Sequence, residues 1–211
     1  MVDLKELSEV LFRGDVSKVK EITLRALQEK IEPKEILEQG LIKGMKVVGI
    51  KFKNNEIFLP EVLLASQAMY GGLELLQPRL TKSGVRAIGK VIIGTARGDL
   101  HDIGKNLVTM MLRGRGFEVI DLGNDVSPEK FLEATQKHKP DIVSISALLT
   151  TTMIGMADVI TTLERADLRN RVKVMIGGAP VTQEFANEIG AEGYAPDAAS
   201  AVDKARELLK I

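Results

Sequence analysis

The spacing of apolar residues changes partway along the chain, and this change constrains the fold more than any other feature. In about the first 80 residues, apolar side chains recur every three or four positions, beginning with Leu4 and Leu7. This period is typical of amphipathic helices that bury one face. Pro33 and Pro60 lie where a first helical turn tolerates a missing N–H. We therefore predict four packed helices, the last running from about Pro60 to Leu76.

After the segment TKSGVR, residues 81–86, short apolar and β-branched runs alternate with helix-length segments. The runs are KVIIGTA, FEVIDLG, DIVSISAL, VKVMIGG and EGYAPD. Such alternation predicts a parallel sheet covered on both faces, with ligand-binding loops at the carboxyl ends of the strands. We therefore expect an α/β fold in which a four-helix bundle over residues 1–84 precedes a second domain over residues 85–211. That second domain would be a flavodoxin- or Rossmann-like, doubly wound, five-stranded parallel sheet.

The composition argues against several classes of function. Lysine and arginine together number 29, as do aspartate and glutamate, so the formal net charge is zero and nucleic-acid binding is not expected. The chain has no cysteine, which excludes disulfides, thiolate metal sites and cysteine nucleophiles. No apolar run approaches the roughly 20 residues that span a membrane, and the N-terminus lacks a signal-peptide core. We expect a cytoplasmic protein with no membrane segment.

One of the chain's two histidines lies in the loop after the first predicted strand, in the stretch GDLHDIGKN. This residue, His101, stands between Asp99 and Asp102 and precedes a predicted helix. A neutral imidazole can ligate a metal, but a histidine before a helix is more often a cap or a polar loop residue, and Asp102 would itself be a suitable N-cap. The other histidine, His138, lies at a predicted helix end before a proline, and we assign it no site role.

Two further loops are expected beside this one. The third predicted strand ends at Ser146 and Leu148 and leads into a row of threonines, while the fourth ends at Gly177 and Gly178. If the first strand lies beside the third, these loops meet where the strand order reverses. Taken singly, such residues are more often strand-end turns and helix caps. No GxGxxG follows the first strand and no GxxxxGK[ST] occurs, and a receiver domain fits poorly because the third strand does not end in aspartate.

Together, the three segments resemble the corrinoid-binding signature of cobalamin-dependent methyltransferases and mutases. The signature comprises D-x-H-x-x-G, S-x-L and G-G, which fall here on Asp99, His101, Gly104, Ser146, Leu148, Gly177 and Gly178. The gaps also agree, with 41 residues in the first (105–145) and 28 in the second (149–176). In the first half, GMKVVGIKFKNNEIFLPEVLLASQAM resembles the helical cap module that precedes the corrinoid domain in methionine synthase and in small methyltransferase corrinoid proteins.

The resemblance implies a cobalamin or related corrinoid, with His101 as the lower ligand of cobalt in place of the cofactor's dimethylbenzimidazole. Asp99 would bond the other imidazole nitrogen. Ser146 would contact the nucleotide tail or extend the histidine–aspartate relay, with Thr150 and Thr152 as alternative hydroxyls. The glycines would keep the tail's slot open. The implied cofactor-binding residues are Gly98, Asp99, Leu100, His101, Asp102, Ile103, Gly104, Ser146, Leu148, Thr150, Thr152, Gly177, Gly178, Tyr194 and Ala198.

The resemblance also implies a role for the helical half and a cycle for the ligand. The cap would cover the methyl-bearing face of the corrin, and its apolar candidates, most of which must build the bundle core, are Phe58, Leu59, Val62, Leu63 and Met69. The bond from His101 to cobalt would break and re-form in each methyl cycle, and the relay could take up a proton when it breaks.

The function implied is that of a corrinoid protein that carries a methyl group on cobalt between a substrate-specific and an acceptor methyltransferase in one-carbon metabolism. The chain would be a non-catalytic subunit, because its 211 residues cannot also hold a (β/α)₈ barrel of about 250 residues. Separate TIM-barrel methyltransferases and a reductive-activation protein would be its partners. The alternative is a cobalamin-dependent sensor or regulator; a mutase subunit is disfavoured by the cap-like first half. The methyl donor stays open among methanol, methylamines, glycine betaine and methoxylated aromatics.

Overall fold

The computed structural model describes residues 2–82 and 87–211. Contacts divide the chain into a first unit, Met1–Arg86 with Gly114–Gly116, and a second, Ala87–Arg113 with Phe117–Ile211. The domain boundary predicted near residue 84 falls outside the described residues. None of the helices within residues 2–82 and 87–211 has the length and apolar content to span a membrane.

The described part of the first unit is built from helices. In chain order they are α1 (Leu4–Phe12), α2 (Val16–Gln28), α3 (Pro33–Glu35), a π-helical segment (Ile36–Ile42), α4 (Lys43–Lys53) and α5 (Leu59–Lys82). The side chains of Asp3 and Asp15 cap α1 and α2 by accepting backbone N–H groups of the first turn. The last helix extends past the predicted Leu76 and tolerates Pro78 within it at the cost of one backbone hydrogen bond.

The π-helical segment lies against α1 through Gly40. A Cβ at Gly40 would overlap the side chain of Leu7, and the hydroxyl of Ser8 lies 2.7 Å from the Gly40 carbonyl oxygen. Glycine therefore permits the close approach of two helices, and Ser8 provides a donor where the wider π-turn alters the regular hydrogen bonding. The third predicted helix is consequently a composite of α3, the π-helical segment and α4.

The apolar residues proposed for the cap have different environments. Val62 and Met69 are buried in the core of the first unit, and Leu59 is half-buried. Phe58 and Leu63 are exposed, at 64% and 36%. A residue that covers a ligand must reach the surface, as Phe58 and Leu63 do and as Leu59 does in part.

The second unit alternates strands and helices, with a short 3₁₀ turn, Arg169–Arg171, before β4. Its elements are β1 (Lys90–Thr95), α6 (Ile103–Gly114), β2 (Glu118–Asp121), α7 (Pro128–His138), β3 (Ile142–Ser146), α8 (Ile154–Arg165), β4 (Lys173–Gly177), α9 (Gln183–Ile189), β5 (Gly193–Ala195) and α10 (Ala198–Leu209). The strands are all parallel, in the order β2-β1-β3-β4-β5. The predicted α/β fold, with a helical region before a doubly wound five-stranded sheet, is confirmed.

The two faces of this sheet differ in chemistry. Side chains alternate across a strand, so Val143 and Ile145 of β3 face one side while Ser144 and Ser146 face the other. The side of Val143 is an apolar cluster formed with α7, α8 and α9. Right-handed crossovers put α6 on the opposite face, and α10 lies there as well, because a Cβ at Gly193 would contact both Met175 and residues of α10. The serines of β3 therefore line the face covered by α6 and α10.

The strand order brings three loops to one edge of the sheet. Thr95 at the end of β1 pairs with Ser146 at the end of β3, which in turn pairs with Gly177 at the end of β4. The strand order reverses beside β1, and in sheets of this kind ligands bind outside the carboxyl ends of the strands at that position.

Candidate functional site

The loop after β1 places His101 beside Asp99. The imidazole Nδ1 lies 2.9 Å from Asp99 Oδ1, and the backbone N–H of His101 donates to the same oxygen at 2.9 Å. The side chain of Asp99 has no exposed surface, whereas that of His101 is 50% exposed. Because a carboxylate only accepts, a neutral imidazole in this pair carries its proton on Nδ1 and keeps a lone pair on Nε2. The arrangement therefore provides one oriented, accessible nitrogen ligand.

Two more donors to Asp99 come from the loop after β3. The backbone N–H of Leu148 donates to Asp99 Oδ2 at 2.7 Å, and the hydroxyl of Thr152 donates to it at 2.6 Å. Burial raises the pKa of Asp99, but the hydrogen bonds from Thr152, Leu148 and His101 outweigh it and hold that pKa well below its usual range. The carboxylate is therefore ionised at neutral pH and joins the two loops. Of the three hydroxyls that the sequence left open, Thr152 is the one bonded to Asp99.

Large apolar side chains on these loops are exposed. Leu100 and Ile103 flank His101 and are 67% and 73% exposed, and Leu148 is 42% exposed. Two residues that the sequence analysis did not single out, Leu149 and Ile154, are 43% and 67% exposed. These five residues, called the apolar rim below, offer an apolar surface on the same loops as a single imidazole.

The predicted glycines have separate structural reasons. The position of a Cβ at Gly104, in the first turn of α6, has no atom within 4 Å, so there is open space beside the helix. Gly178 has a φ of +136°, and a Cβ there would overlap the backbone carbonyl of Ala147. Ser146 and Gly177 lie half-buried as register partners at the ends of β3 and β4. Gly104 thus leaves room for a ligand, whereas Gly178 is required by the chain itself.

The other predicted residues have different environments. Thr150 is exposed, and Asp102 is half-buried immediately before α6. Tyr194 packs against the apolar cluster under α7, α8 and α9, on the face opposite that of Ser146. Ala198 is buried in the first turn of α10. The structure therefore does not bring the side chain of Tyr194 to the network around Asp99.

The loop after β2 supplies contacts that the sequence analysis missed. Asp125 Oδ1 accepts the backbone N–H of Gly98 at 2.7 Å, and the N–H of Asp125 lies 3.0 Å from the carbonyl oxygen of Asp99 and 2.9 Å from the Thr95 hydroxyl. The Thr95 hydroxyl donates to the same carbonyl at 2.5 Å. The sequence signal that could have predicted these contacts is Asp125, an aspartate in the loop after β2, the strand that pairs with β1. The backbone of Asp99 is therefore held from β1 and from the β2 loop.

A buried lysine ties α6 to the same loop. Lys105 is 2% exposed, and its Nζ lies 2.6 Å from each carboxylate oxygen of Asp121 and 2.7 Å from Asn106 Oδ1. Asp121 also accepts the N–H of Gly123 at 2.9 Å. A lysine on a helix face otherwise directed to the core was the sequence signal for such a pair. The helix that follows His101 is thereby anchored at the end of β2.

These observations fit a corrinoid. Across residues 2–82 and 87–211, no group of three or more His, Cys, Asp or Glu side chains could hold a metal ion. A metal whose other ligands come from a macrocycle needs a single protein ligand, and the accessible Nε2 of His101 can supply one. The apolar rim suits the face of such a macrocycle, and the space at Gly104 suits a substituent that runs beside α6.

Two family profiles cover most of the chain. The profile described as B12 binding domain matches residues 89–203, and a second profile with the same description matches residues 3–77. The first match contains the segments of the Asp99 network, and the second covers the helical half.

Individual relatives agree over nearly the full length. Dimethylamine corrinoid protein 3 of Methanosarcina acetivorans is 44% identical over 99% of this chain and 100% of its own. Trimethylamine corrinoid protein 2 of the same organism is 45% identical over 93% of this chain and 91% of its own. The crystal structure of the methanol:cobalamin methyltransferase complex MtaBC from Methanosarcina barkeri contains a chain with a TM-score of 0.88 and 33% identity, covering 98% of this chain and 79% of that one.

Proposed function

The chain belongs to the B12-binding family of corrinoid proteins, and from this premise we propose that it carries a methyl group on a corrinoid cobalt between two methyltransferases. The observation that carries the proposal is the Asp99–His101 pair, whose 2.9 Å contact through Nδ1 leaves Nε2 of a half-exposed imidazole available. When bound, the corrinoid supplies a cobalt that accepts and releases the methyl group.

The residues around His101 control how firmly it ligates. Asp99 orients the imidazole through the contact with Nδ1, as carboxylates bonded to ligating histidines commonly do. Thr152 and Leu148 hold Asp99 Oδ2 from the β3 loop. In this proposal His101 ligates and Asp99 controls the ligand.

The sheet face under α6 and α10 is the proposed place for the nucleotide tail. Gly104 leaves open space in the first turn of α6. Ser146 and Gly177 lie at the strand ends on the path from the loops to that face. Because Tyr194 packs on the opposite face, its side chain is not part of this proposed slot.

Methyl transfer also needs partners that activate the donor and the acceptor. The two described units are a helical unit and a five-stranded sheet unit, and neither is a (β/α)₈ barrel. We therefore propose separate TIM-barrel methyltransferases and a reductive-activation protein as partners. A protein similar to this chain was crystallised within a methyltransferase complex, which supports the first of these.

The donor we propose is a methylated amine. Relatives named for dimethylamine and trimethylamine are 44% and 45% identical to this chain, against 33% for the chain from the methanol complex. Incubating the methyl-free cobalt(I) holoprotein separately with dimethylamine, trimethylamine and methanol methyltransferases and their substrates tests this. Methylation only by the methanol system would reject the amine proposal and leave the carrier role intact.

The source of the cobalt ligand can be tested with protein labelled with ¹⁵N only in histidine, reconstituted with hydroxocobalamin and reduced chemically by one electron to cobalt(II). A ¹⁴N ligand splits the cobalt(II) electron paramagnetic resonance lines into triplets and a ¹⁵N ligand splits them into doublets. We expect doublets for the wild type and for the control His138→Ala, and loss of nitrogen splitting in His101→Ala with corrinoid still bound. Triplets in the wild type would mean that dimethylbenzimidazole remains on cobalt and would overturn the proposal.

A further inference from the structure

The loop after β2 contacts the loop that carries His101. It bonds to the backbone of that loop and not to the side chains of its motif residues. Asp125 Oδ1 accepts the Gly98 N–H at 2.7 Å, and the Asp125 N–H lies 3.0 Å from the carbonyl oxygen of Asp99. These two contacts hold the peptide unit that ends at Gly98 and the one that begins at Asp99, both on the N-terminal side of His101. Asp99 accepts hydrogen bonds at both carboxylate oxygens, so displacement of its backbone would disturb its bond to His101.

The conformation of Asp125 indicates that this contact is specified by the fold. Its φ is +51°, a left-handed value that aspartate adopts more readily than most residues. Gly98, which donates to it, also has a left-handed φ, of +81°. The two unusual backbones meet through one charge-assisted hydrogen bond, while Thr95 closes the same turn from β1. The turn is therefore fixed on both sides.

The loop after β2, whose Asp125 forms what is called the clamp on Gly98 and Asp99 below, is itself anchored. Asp121, at its start, holds the buried Nζ of Lys105 through both carboxylate oxygens and also accepts the N–H of Gly123. Lys105 lies in the first turn of α6, four residues after His101. The same loop thus holds the chain before His101 through Asp125 and the chain after it through Asp121.

We propose that Asp125 is a positioning residue for His101: by holding the Gly98–Asp99 backbone it keeps the Asp99 carboxylate on the imidazole and favours the ligating orientation. The inference rests on the proposed function only in naming His101 as the cobalt ligand. The clamp itself is a property of the protein without cofactor and can be tested there.

Asp125→Gly is the sharpest variant, because glycine adopts the left-handed backbone without strain and keeps the N–H contacts while it removes the carboxylate. Asn124→Gly is the matched control, since it adds a glycine to the same loop at an exposed position. Asp125→Asn is the conservative rescue, since it retains an acceptor oxygen and tolerates the backbone. Loss of Gly98 protection in Asp125→Gly is trivial, so the informative signals are those of His101.

In ¹⁵N-labelled protein without cofactor, we expect the backbone N–H of His101 to exchange about three- to tenfold faster in Asp125→Gly than in Asn124→Gly, as befits loss of one exposed charge-assisted hydrogen bond. The proton population on His101 Nδ1, read from the imidazole ¹⁵N shifts, should fall in parallel, and Asp125→Asn should restore both. Equal His101 exchange and equal imidazole shifts in the two glycine variants would overturn the proposal.

The holoprotein gives an independent measurement. With ¹⁵N-histidine labelling and hydroxocobalamin that has been reduced chemically to cobalt(II), the fraction of cobalt showing the histidine doublet should be lower in Asp125→Gly than in Asn124→Gly. An unchanged doublet fraction would overturn the positioning role toward the ligand. If the wild type shows no doublet at all, the proposed function fails, and the exchange experiment still decides whether the clamp exists.

Discussion

Replacing Thr152 with valine is expected to destabilise the cofactor-free protein while leaving its fold intact. Valine has nearly the shape of threonine but lacks the hydroxyl that lies 2.6 Å from Asp99 Oδ2. Thr152 is 7% exposed and the Asp99 side chain has no exposed surface, so water cannot replace the lost donor without rearrangement. The change therefore removes one hydrogen bond from a buried ionised group.

The magnitude follows from what remains around the carboxylate. Hydrogen bonds to charged groups contribute about 1.5–3 kcal/mol each. After the substitution, Asp99 Oδ2 still accepts the Leu148 N–H at 2.7 Å, and Oδ1 still accepts from His101. The Thr152 hydroxyl has one proton, and the Leu149 carbonyl oxygen, 2.9 Å away, competes for it. We therefore expect a loss in the lower part of that range, about 1.5–2 kcal/mol of unfolding free energy.

The sign of the pH dependence is fixed by the lowered pKa of Asp99. A carboxylate whose pKa is lower in the folded state stabilises the fold above its unfolded pKa, about 3.9, and loses that contribution as the pH falls through the folded value. Valine at position 152 raises the folded pKa and so removes part of the contribution. The difference between wild type and Thr152→Val should be constant from about pH 8 to 5. It should shrink only as the pH falls through the folded pKa of the variant, because the two proteins share the same unfolded pKa.

Urea unfolding followed by circular dichroism measures this difference. Thr151→Val is the matched control, because Thr151 is an exposed neighbour whose replacement should change stability by less than about 0.5 kcal/mol. Thr152→Ser retains the hydroxyl and should recover most of the loss. If Thr152→Val unfolds at the same urea concentration and with the same slope as Thr151→Val, the hydroxyl does not stabilise Asp99 and the reasoning is refuted.

Three further predictions concern separate parts of the second unit. Gly104→Ala should leave the cofactor-free protein as stable as wild type or up to about 1 kcal/mol more stable, since a Cβ meets no atom there, yet lower the bound corrinoid after reconstitution; unchanged corrinoid content would count against a slot at this position. Gly178→Ala should lose about 1–3 kcal/mol in urea unfolding because of its φ of +136° and the adjoining carbonyl, and a loss no larger than that of Gly190→Ala, a left-handed cap with open space, would contradict the overlap. Burial raises the pKa of Glu192, but hydrogen bonds from Arg169 and a backbone N–H outweigh burial and hold the pKa below its usual range. Glu192→Gln should therefore reduce the melting temperature at pH 7 and differ less from wild type below about pH 4. A difference that grows on acidification would contradict this prediction.

The fold could be predicted because each of its signals is local. Alternation of apolar runs with helix-length segments marked all five strands. The errors lie where neighbouring elements decide. The π-helical segment depends on the approach of α1 at Gly40, and no helical period in the sequence distinguishes it from an ordinary helix.

The site could be predicted only as far as its motif extends. The D-x-H pattern indicated the contact between His101 and Asp99. The sequence did not distinguish among the hydroxyls of Ser146, Thr150 and Thr152, and it is the turn after Leu149 that brings the Thr152 hydroxyl to Asp99. The orientation of Tyr194 was missed because a strand of three residues carries too little alternation to show which side faces which helices.

The contacts of Asp99 explain why so much of the site lies outside its motif. Burial raises the pKa of a carboxylate unless hydrogen-bond donors surround it. A loop of three residues around one histidine cannot supply enough donors. Here the His101 loop supplies two, the β3 loop supplies Leu148 and Thr152, and Asp125 in the β2 loop holds the backbone that carries the group. A change in any of these three loops therefore reaches the imidazole through one ionised side chain. This makes the orientation of the His101 imidazole sensitive to residues of the β2 and β3 loops.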